Sequence, residues 1–203
     1  MPELPEVETV TNSIKKHLIN HSFDSLIALW PKTLHNFSIT NFNNNIKNKK
    51  ITNIYRRGKF IVFDFDDCIM AVHLRMTGKL YVKPELDKRK KHISAILKFS
   101  NKYLVFEDTR KFGRFYLYDS IDFLDNKLGI EPFSKDFTQK WLIDNLKTKN
   151  RQMKALLLDQ SFIVGLGNIY TDESLWHAKI HPLSKSDLIS VKKIKVLYKA
   201  IKE

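Results

Sequence analysis

The chain has 203 residues, 43% hydrophobic and 12% aromatic, a globular profile that excludes an intrinsically disordered chain. Lysine and arginine number 35 against 22 acidic residues, a formal net charge of +13. That excess points to a polyanionic partner whose condensed counterions are released on binding, the plainer alternative being a lysine-rich composition. Cys68 is the only cysteine, which excludes an intrachain disulfide and a cysteine-built zinc site, and fits the reducing cytoplasm expected as its location.

The N-terminus opens on acids and prolines rather than a basic stretch followed by an apolar one, so no signal peptide is read there. No apolar run approaches the ~20 residues needed to span a bilayer. Pro5 suits a first helical turn, and Val7, Val10, Ile14 and Leu18 recur at steps of three and four, which predicts an amphipathic helix. Glu6 and Glu8 sit in its first turn, at the positive end of the helix dipole. Residues 41–50 are polar and rich in Asn and Lys, and read as a surface loop or the approach to a strand.

From about residue 50 to 118 the period changes to two. Strands are predicted over 60–65, 69–74, 80–82, 93–99, 103–106 and 115–118, separated by Arg57-Gly58, Asp66-Asp67, Thr77-Gly78 and Ser100-Asn101. Many short strands at this spacing suggest a β-sandwich or barrel. The segment 129–133 marks the expected boundary between domains of residues 1–131 and 132–203. Beyond it helices are predicted over 138–147, 153–159, 169–178 and from about 186, the last with Leu188, Val191, Ile194, Tyr198 and Ile201 on one face.

Chemistry concentrates at the start of the chain. Removal of Met1 would expose the secondary amine of Pro2, beside Glu3 and close to Glu6. An α-amino group has an ordinary pKa near 8, so a useful fraction is neutral and nucleophilic at pH 7. Such an amine attacking a sugar C1′ displaces the base and leaves an iminium that acidifies the C2′ proton. Glu3 suits protonation of the ring oxygen, and Glu6 suits organising the amine. On spacing alone, Pro-x-x-Pro-Glu reads first as a helix cap, since Pro and Glu are common at helix starts.

The opening Met1-Pro2-Glu3-Leu4-Pro5-Glu6-Val7-Glu8-Thr9-Val10 resembles that of the formamidopyrimidine-DNA glycosylases. Four further segments match that family in order: Arg56-Arg57-Gly58-Lys59-Phe60; His73-Leu74-Arg75-Met76-Thr77-Gly78; Asp108-Thr109-Arg110-Lys111-Phe112-Gly113; and Leu157-Leu158-Asp159-Gln160 leading into Gly165-Leu166-Gly167-Asn168-Ile169-Tyr170.

The resemblance implies an α+β protein: a two-layer β-sandwich with an N-terminal helix, then an all-helical domain bearing a helix-two-turn-helix. It implies a bifunctional glycosylase and abasic-site lyase for oxidised purines, acting as a monomer on double-stranded damaged DNA and not at a membrane. Pro2 would be the Schiff-base nucleophile, Glu3 its acid/base partner, and Lys59 the proton donor in β-elimination. Met76, Arg110 and Phe112 would fill the gap left by an extruded nucleotide, although by residue type alone Met76 and Phe112 read as core side chains. His73 and His92, and in the helical half Lys149, Lys154 and Asn168, would contact DNA; Lys147 and Arg151 belong to the same basic run, which is equally a solvated face. Gly165 and Gly167 would let amides at the next helix start approach a phosphate.

The pattern departs from the family at its end, since members normally continue into a four-cysteine zinc finger. No metal site is expected within this chain; zinc would require such a finger beyond Glu203. An endonuclease VIII-like enzyme for oxidised pyrimidines is the nearest alternative, and a catalytically impaired damage-binding module is the alternative of another class.

Overall fold

The computed structural model describes residues 1–86 and 91–203, and the chain clusters into two units, Met1–Phe123 and Leu124–Glu203. The first holds helix α1 (Leu4–Leu18), strand β1 (Ser25–Ala28), helix α2 (Ile39–Asn45) and strands β2 (Asn53–Arg57), β3 (Phe60–Asp64), β4 (Ile69–His73), β5 (Gly78–Lys83), β6 (Ile93–Phe99), β7 (Lys102–Asp108) and β8 (Arg114–Tyr118). The division falls within a short helix, α3 (Asp122–Asp125), ahead of the Gly-Pro segment where the sequence places a boundary. Gly129 and Ile130 bond to Gln160 and Phe162, within the second unit.

The strands form two antiparallel four-stranded sheets, ordered β1-β6-β7-β5 and β2-β3-β4-β8. Phe23, Phe63, Phe99, Leu104, Phe106 and Phe115 are among the side chains filling the core between them. Helix α1 packs on β2, β3 and β5, so it covers an edge strand of each sheet. Its Val7, Ile14 and Leu18 enter the core, and the buried Thr11 hydroxyl donates to the Val7 carbonyl. This packing brings the start of the chain to the β2–β3 turn.

Residues 39–45 are helical, which corrects the loop reading of the Asn-rich stretch. The Ser38 side chain accepts from the Asn41 amide and the Asn41 side chain accepts from the Ser38 amide, while Phe42 and Ile46 are buried. Capping and two buried anchors outweigh the low helix propensity of Asn.

The second unit contains α4 (Gln139–Lys147), α5 (Met153–Leu158), α6 (Asn168–His177) and α7 (Val191–Lys202) around its own core of Phe137, Leu142, Leu146, Leu156, Leu157, Ile163, Ile194 and Leu197 among others. The last helix starts later than the sequence suggests. Ser190 caps it through Lys193, and residues 186–188 form a separate 3-10 turn. Leu188 is therefore exposed rather than on a buried face, and Leu197 joins Ile194 and Ile201 in the core.

Candidate active site and nucleic-acid interface

Glu3 caps α1 from an extended conformation, and its amide donates to a Glu6 carboxylate oxygen at 2.8 Å. The opening residues thus do cap the helix. Glu3 is 2% exposed and Lys59 only 5%. Lys59 follows Gly58, whose φ of 57° is the left-handed backbone this tight β2–β3 turn requires. Arg56 holds that turn against α1: its Nε donates to Glu8 at 2.7 Å and its guanidinium also donates to the Gly58 carbonyl at 3.1 Å. Burial pushes the Lys59 ammonium below its ordinary value, against the opposing pull of the Glu3 and Glu6 carboxylates. A buried amine with a lowered pKa in the field of two carboxylates is suited to passing protons.

His73 ends β4, buried edge-on against Phe60. Its Nδ1 lies 3.0 Å from the Arg75 amide and accepts from it, which leaves the other ring nitrogen as the N–H donor. Burial, with Arg75 and Lys59 nearby, pushes its pKa down to about 3. While no anion lies against it, the ring offers a neutral N–H donor rather than a cation.

Met76 occupies the turn between β4 and β5, where Arg75 adopts φ 57°. Arg110 and Phe112 occupy the loop between β7 and β8. Met76 is 43% and Phe112 47% exposed, which corrects the core reading that residue type alone suggests. The Arg110 guanidinium lies 4.8 Å from the Phe112 ring centroid. Met1, His35, Arg75, Met76, Phe112, Arg114 and Tyr116 line one pocket of about 390 Å³, so the residue preceding Pro2 shares a cavity with two of the gap-filling candidates. His92 is exposed, with φ 73°, at the entry to β6.

In the second unit several candidate cations are engaged within the protein. Lys154 pairs with Asp172 at 2.8 Å, Arg151 with Asp159 at 2.6 Å, and Lys147 donates to the Asp187 carbonyl at 2.7 Å. Lys149 lies 5.8 Å from the Phe162 ring centroid. Asn168 is the exposed first residue of α6, with Gly167 as its N-cap. Gln160, whose part the sequence did not disclose, organises the turn before it. Its side-chain oxygen accepts from the Gly165 amide at 3.0 Å and its NH2 donates to the Leu166 carbonyl at 2.8 Å. Gly165 sits at φ 91°.

Among the described residues, no group of three or more His, Cys, Asp or Glu side chains is placed to hold a metal ion. Cys68, the sole thiol, is buried, and burial pushes it up to about 11. The donors present do not fit a zinc centre.

The start of the chain thus shares a pocket with the exposed Met76 and Phe112, and Lys59 is buried within the electrostatic reach of Glu3 and Glu6. Residues 1–115 match the formamidopyrimidine-DNA glycosylase N-terminal domain, and residues 128–203 match the formamidopyrimidine-DNA glycosylase H2TH domain. The formamidopyrimidine-DNA glycosylase of Protochlamydia amoebophila is 42% identical over 205 residues, spanning all of this chain and 74% of the relative; that of Herpetosiphon aurantiacus is 40% identical over 207 residues, spanning all of this chain and 76% of the relative. Wild-type Lactococcus lactis Fpg in complex with DNA containing N7-benzyl-Fapy-dG superposes with a TM-score of 0.91 at 36% identity, over 98% of this chain and 76% of that one. The same protein with DNA containing an abasic site gives 0.90 at 35%, over 98% and 75%. The chain belongs to the formamidopyrimidine-DNA glycosylase family, whose members are DNA glycosylases with abasic-site lyase activity.

Proposed function

We propose that this protein is a base-excision repair glycosylase and abasic-site lyase that removes oxidised purines, 8-oxoguanine and formamidopyrimidines, from duplex DNA through the amine of Pro2. The observation that supports this reading is the pocket that Met1, bonded to the candidate nucleophile Pro2, shares with Met76 and Phe112. Removal of Met1 frees the Pro2 nitrogen, of which on the order of a tenth is neutral at pH 7. That nitrogen bonds to C1′ and gives up its proton, and the glycosidic bond breaks with its electron pair leaving on the base, which takes up a proton in turn. Glu3 delivers a proton to the ring oxygen as the sugar opens and the nitrogen lone pair forms the iminium. Loss of the C2′ proton then drives out the 3′ phosphate with the C3′–O electron pair, and water hydrolyses the iminium to regenerate the amine. Lys59, depressed by burial, serves the elimination as proton donor, and Glu6 orders the Glu3 backbone.

In this reading residues 1–131 carry the chemistry, and residues 132–203 grip the backbone through Lys149, Lys154 and the α6 start at Asn168. His73 and His92 add contacts to the lesion strand. The protein acts as a monomer in the bacterial cytoplasm. No described helix is long and apolar enough to cross a membrane.

Borohydride reduces the iminium to a stable amine and so traps the enzyme on lesion-bearing duplex. The parent is expected to cross-link and Pro2→Gly, which exchanges the secondary amine for a primary one, to give much less of that product. A Pro2→Gly form that cross-links as well as the parent overturns the assignment. Excision compared between 8-oxoguanine and an oxidised pyrimidine tests the substrate class; faster removal of the pyrimidine overturns the purine reading.

A further inference from the structure

We propose that Asp108 is a positioning residue that joins the Met76 turn to the Arg110–Phe112 loop, so that the two enter DNA as one preassembled wedge. The proposal rests on the reading of Met76, Arg110 and Phe112 as gap-filling residues.

The wedge is built on two separate chain reversals, one between β4 and β5 and the other between β7 and β8. Their roots meet because Gly78, the first residue of β5, pairs with Asp108, the last of β7. The Asp108 side chain is fully buried. One carboxylate oxygen accepts from the Thr77 hydroxyl at 2.5 Å and from the Arg110 amide at 3.2 Å; the other accepts from the Gly113 amide at 2.7 Å. The Thr77 oxygen in turn accepts from the same Arg110 amide at 3.2 Å. Thr77 follows Met76 directly, while Arg110 and Gly113 bracket Phe112. A single carboxylate therefore fixes the base of both projections.

These donors are neutral, so the carboxylate holds geometry rather than balancing a cation, and its burial is tolerated because its oxygens are hydrogen-bonded. The rest of the loop is held just as closely. Lys111 takes φ 58°, its ammonium lies 4.4 Å from the Trp30 ring centroid, and Arg114 donates to the Lys111 and Gly113 carbonyls at 2.9 and 2.7 Å. The backbone is anchored while the Met76 and Phe112 side chains stay exposed. Ordering these groups before DNA arrives removes that cost from the binding step.

Thr77→Val removes the hydroxyl at nearly constant shape and leaves the Gly113 bond intact, so it cuts the link between turn and loop more selectively than Asp108→Asn. Two readouts separate wedge from chemistry. One is fluorescence of 2-aminopurine opposite a tetrahydrofuran abasic analogue, which reports wedge entry with no bond broken. The other is the ratio of borohydride trapping on duplex to trapping on single-stranded abasic DNA, which has no opposite strand to wedge apart. Losing a buried hydrogen bond of order 1.4 kcal/mol predicts that Thr77→Val weakens the fluorescence titration about tenfold and lowers the duplex-to-single-strand ratio similarly. Thr77→Ser is expected to restore both, and Asp108→Asn to move them in the same direction as Thr77→Val. Parent-like fluorescence and ratio in Thr77→Val and Asp108→Asn overturn the proposal, as does an equal fall on duplex and single strand. A parent protein that gives the fluorescence change yet never cross-links counts against the Pro2 assignment, and the wedge is judged on the fluorescence alone.

Discussion

His73 and Lys59 show how burial acts on two basic side chains with different neighbours. Both are buried, and burial disfavours the cation in each. Lys59 keeps two carboxylates near it, whereas His73 faces Arg75 and Lys59, so its pKa falls to about 3. In the unfolded chain a histidine titrates near 6.5. Between those two values the unfolded state binds a proton that the folded state refuses, so stability drops as pH falls from about 6.5 toward 3. At pH 5 the loss from this one residue is about 2 kcal/mol relative to neutral pH. Urea unfolding at pH 7 and pH 5 should show the parent losing about that much more than His73→Gln, which cannot take up the proton. Equal losses in the two proteins would mean that His73 is not held neutral.

Turns, more than strands, decide where this site's side chains go. Gly78 closes the Met76 turn by donating its amide to the Leu74 carbonyl at 3.0 Å, and a Cβ added there would meet that same oxygen at 2.3 Å. Gly78→Ala should therefore cost about 1–3 kcal/mol, as overpacking against an unyielding neighbour does, read as a lowered urea midpoint; an unchanged midpoint would refute so close an approach. The sequence announces the Thr77-Gly78 turn and the alternation of its flanking strands, because both are local patterns. It singles out Met76 and Phe112 only through ordered motifs, since an exposed Met or Phe looks the same in a sequence as a buried one. The partners of Asp108 become visible only with the β5–β7 register, and the Lys111–Trp30 contact spans too much chain for any periodicity to reveal. Helix α2 is not legible in composition, which weighs against a helix of asparagines; Ser38 and Asn41 cap each other while Phe42 and Ile46 supply the burial.

At the scale of the molecule, a net charge of +13 must be divided between cations already engaged inside the protein and cations able to meet a phosphate. Arg56, Arg151 and Lys154 each hold a carboxylate partner at 2.6–2.8 Å. A lysine that exchanges Asp172 for a DNA phosphate gains less than one leaving water, because it gives up one anion to reach another. Counterion release should nevertheless show in duplex binding: if about six phosphates are neutralised, affinity should fall roughly a thousandfold between 50 and 200 mM salt. Anisotropy titrations on a duplex bearing the tetrahydrofuran analogue give that slope directly, and a flat response would remove the basic surface from the DNA interface. Lys154→Ala then separates the two roles of that residue. A phosphate contact lowers the magnitude of the slope by about one, and Asp172→Asn, which releases the lysine, should tighten binding. If neither substitution moves the slope or the affinity, Lys154 serves Asp172 alone, and the grip attributed to the second unit rests on Lys149 and the α6 start.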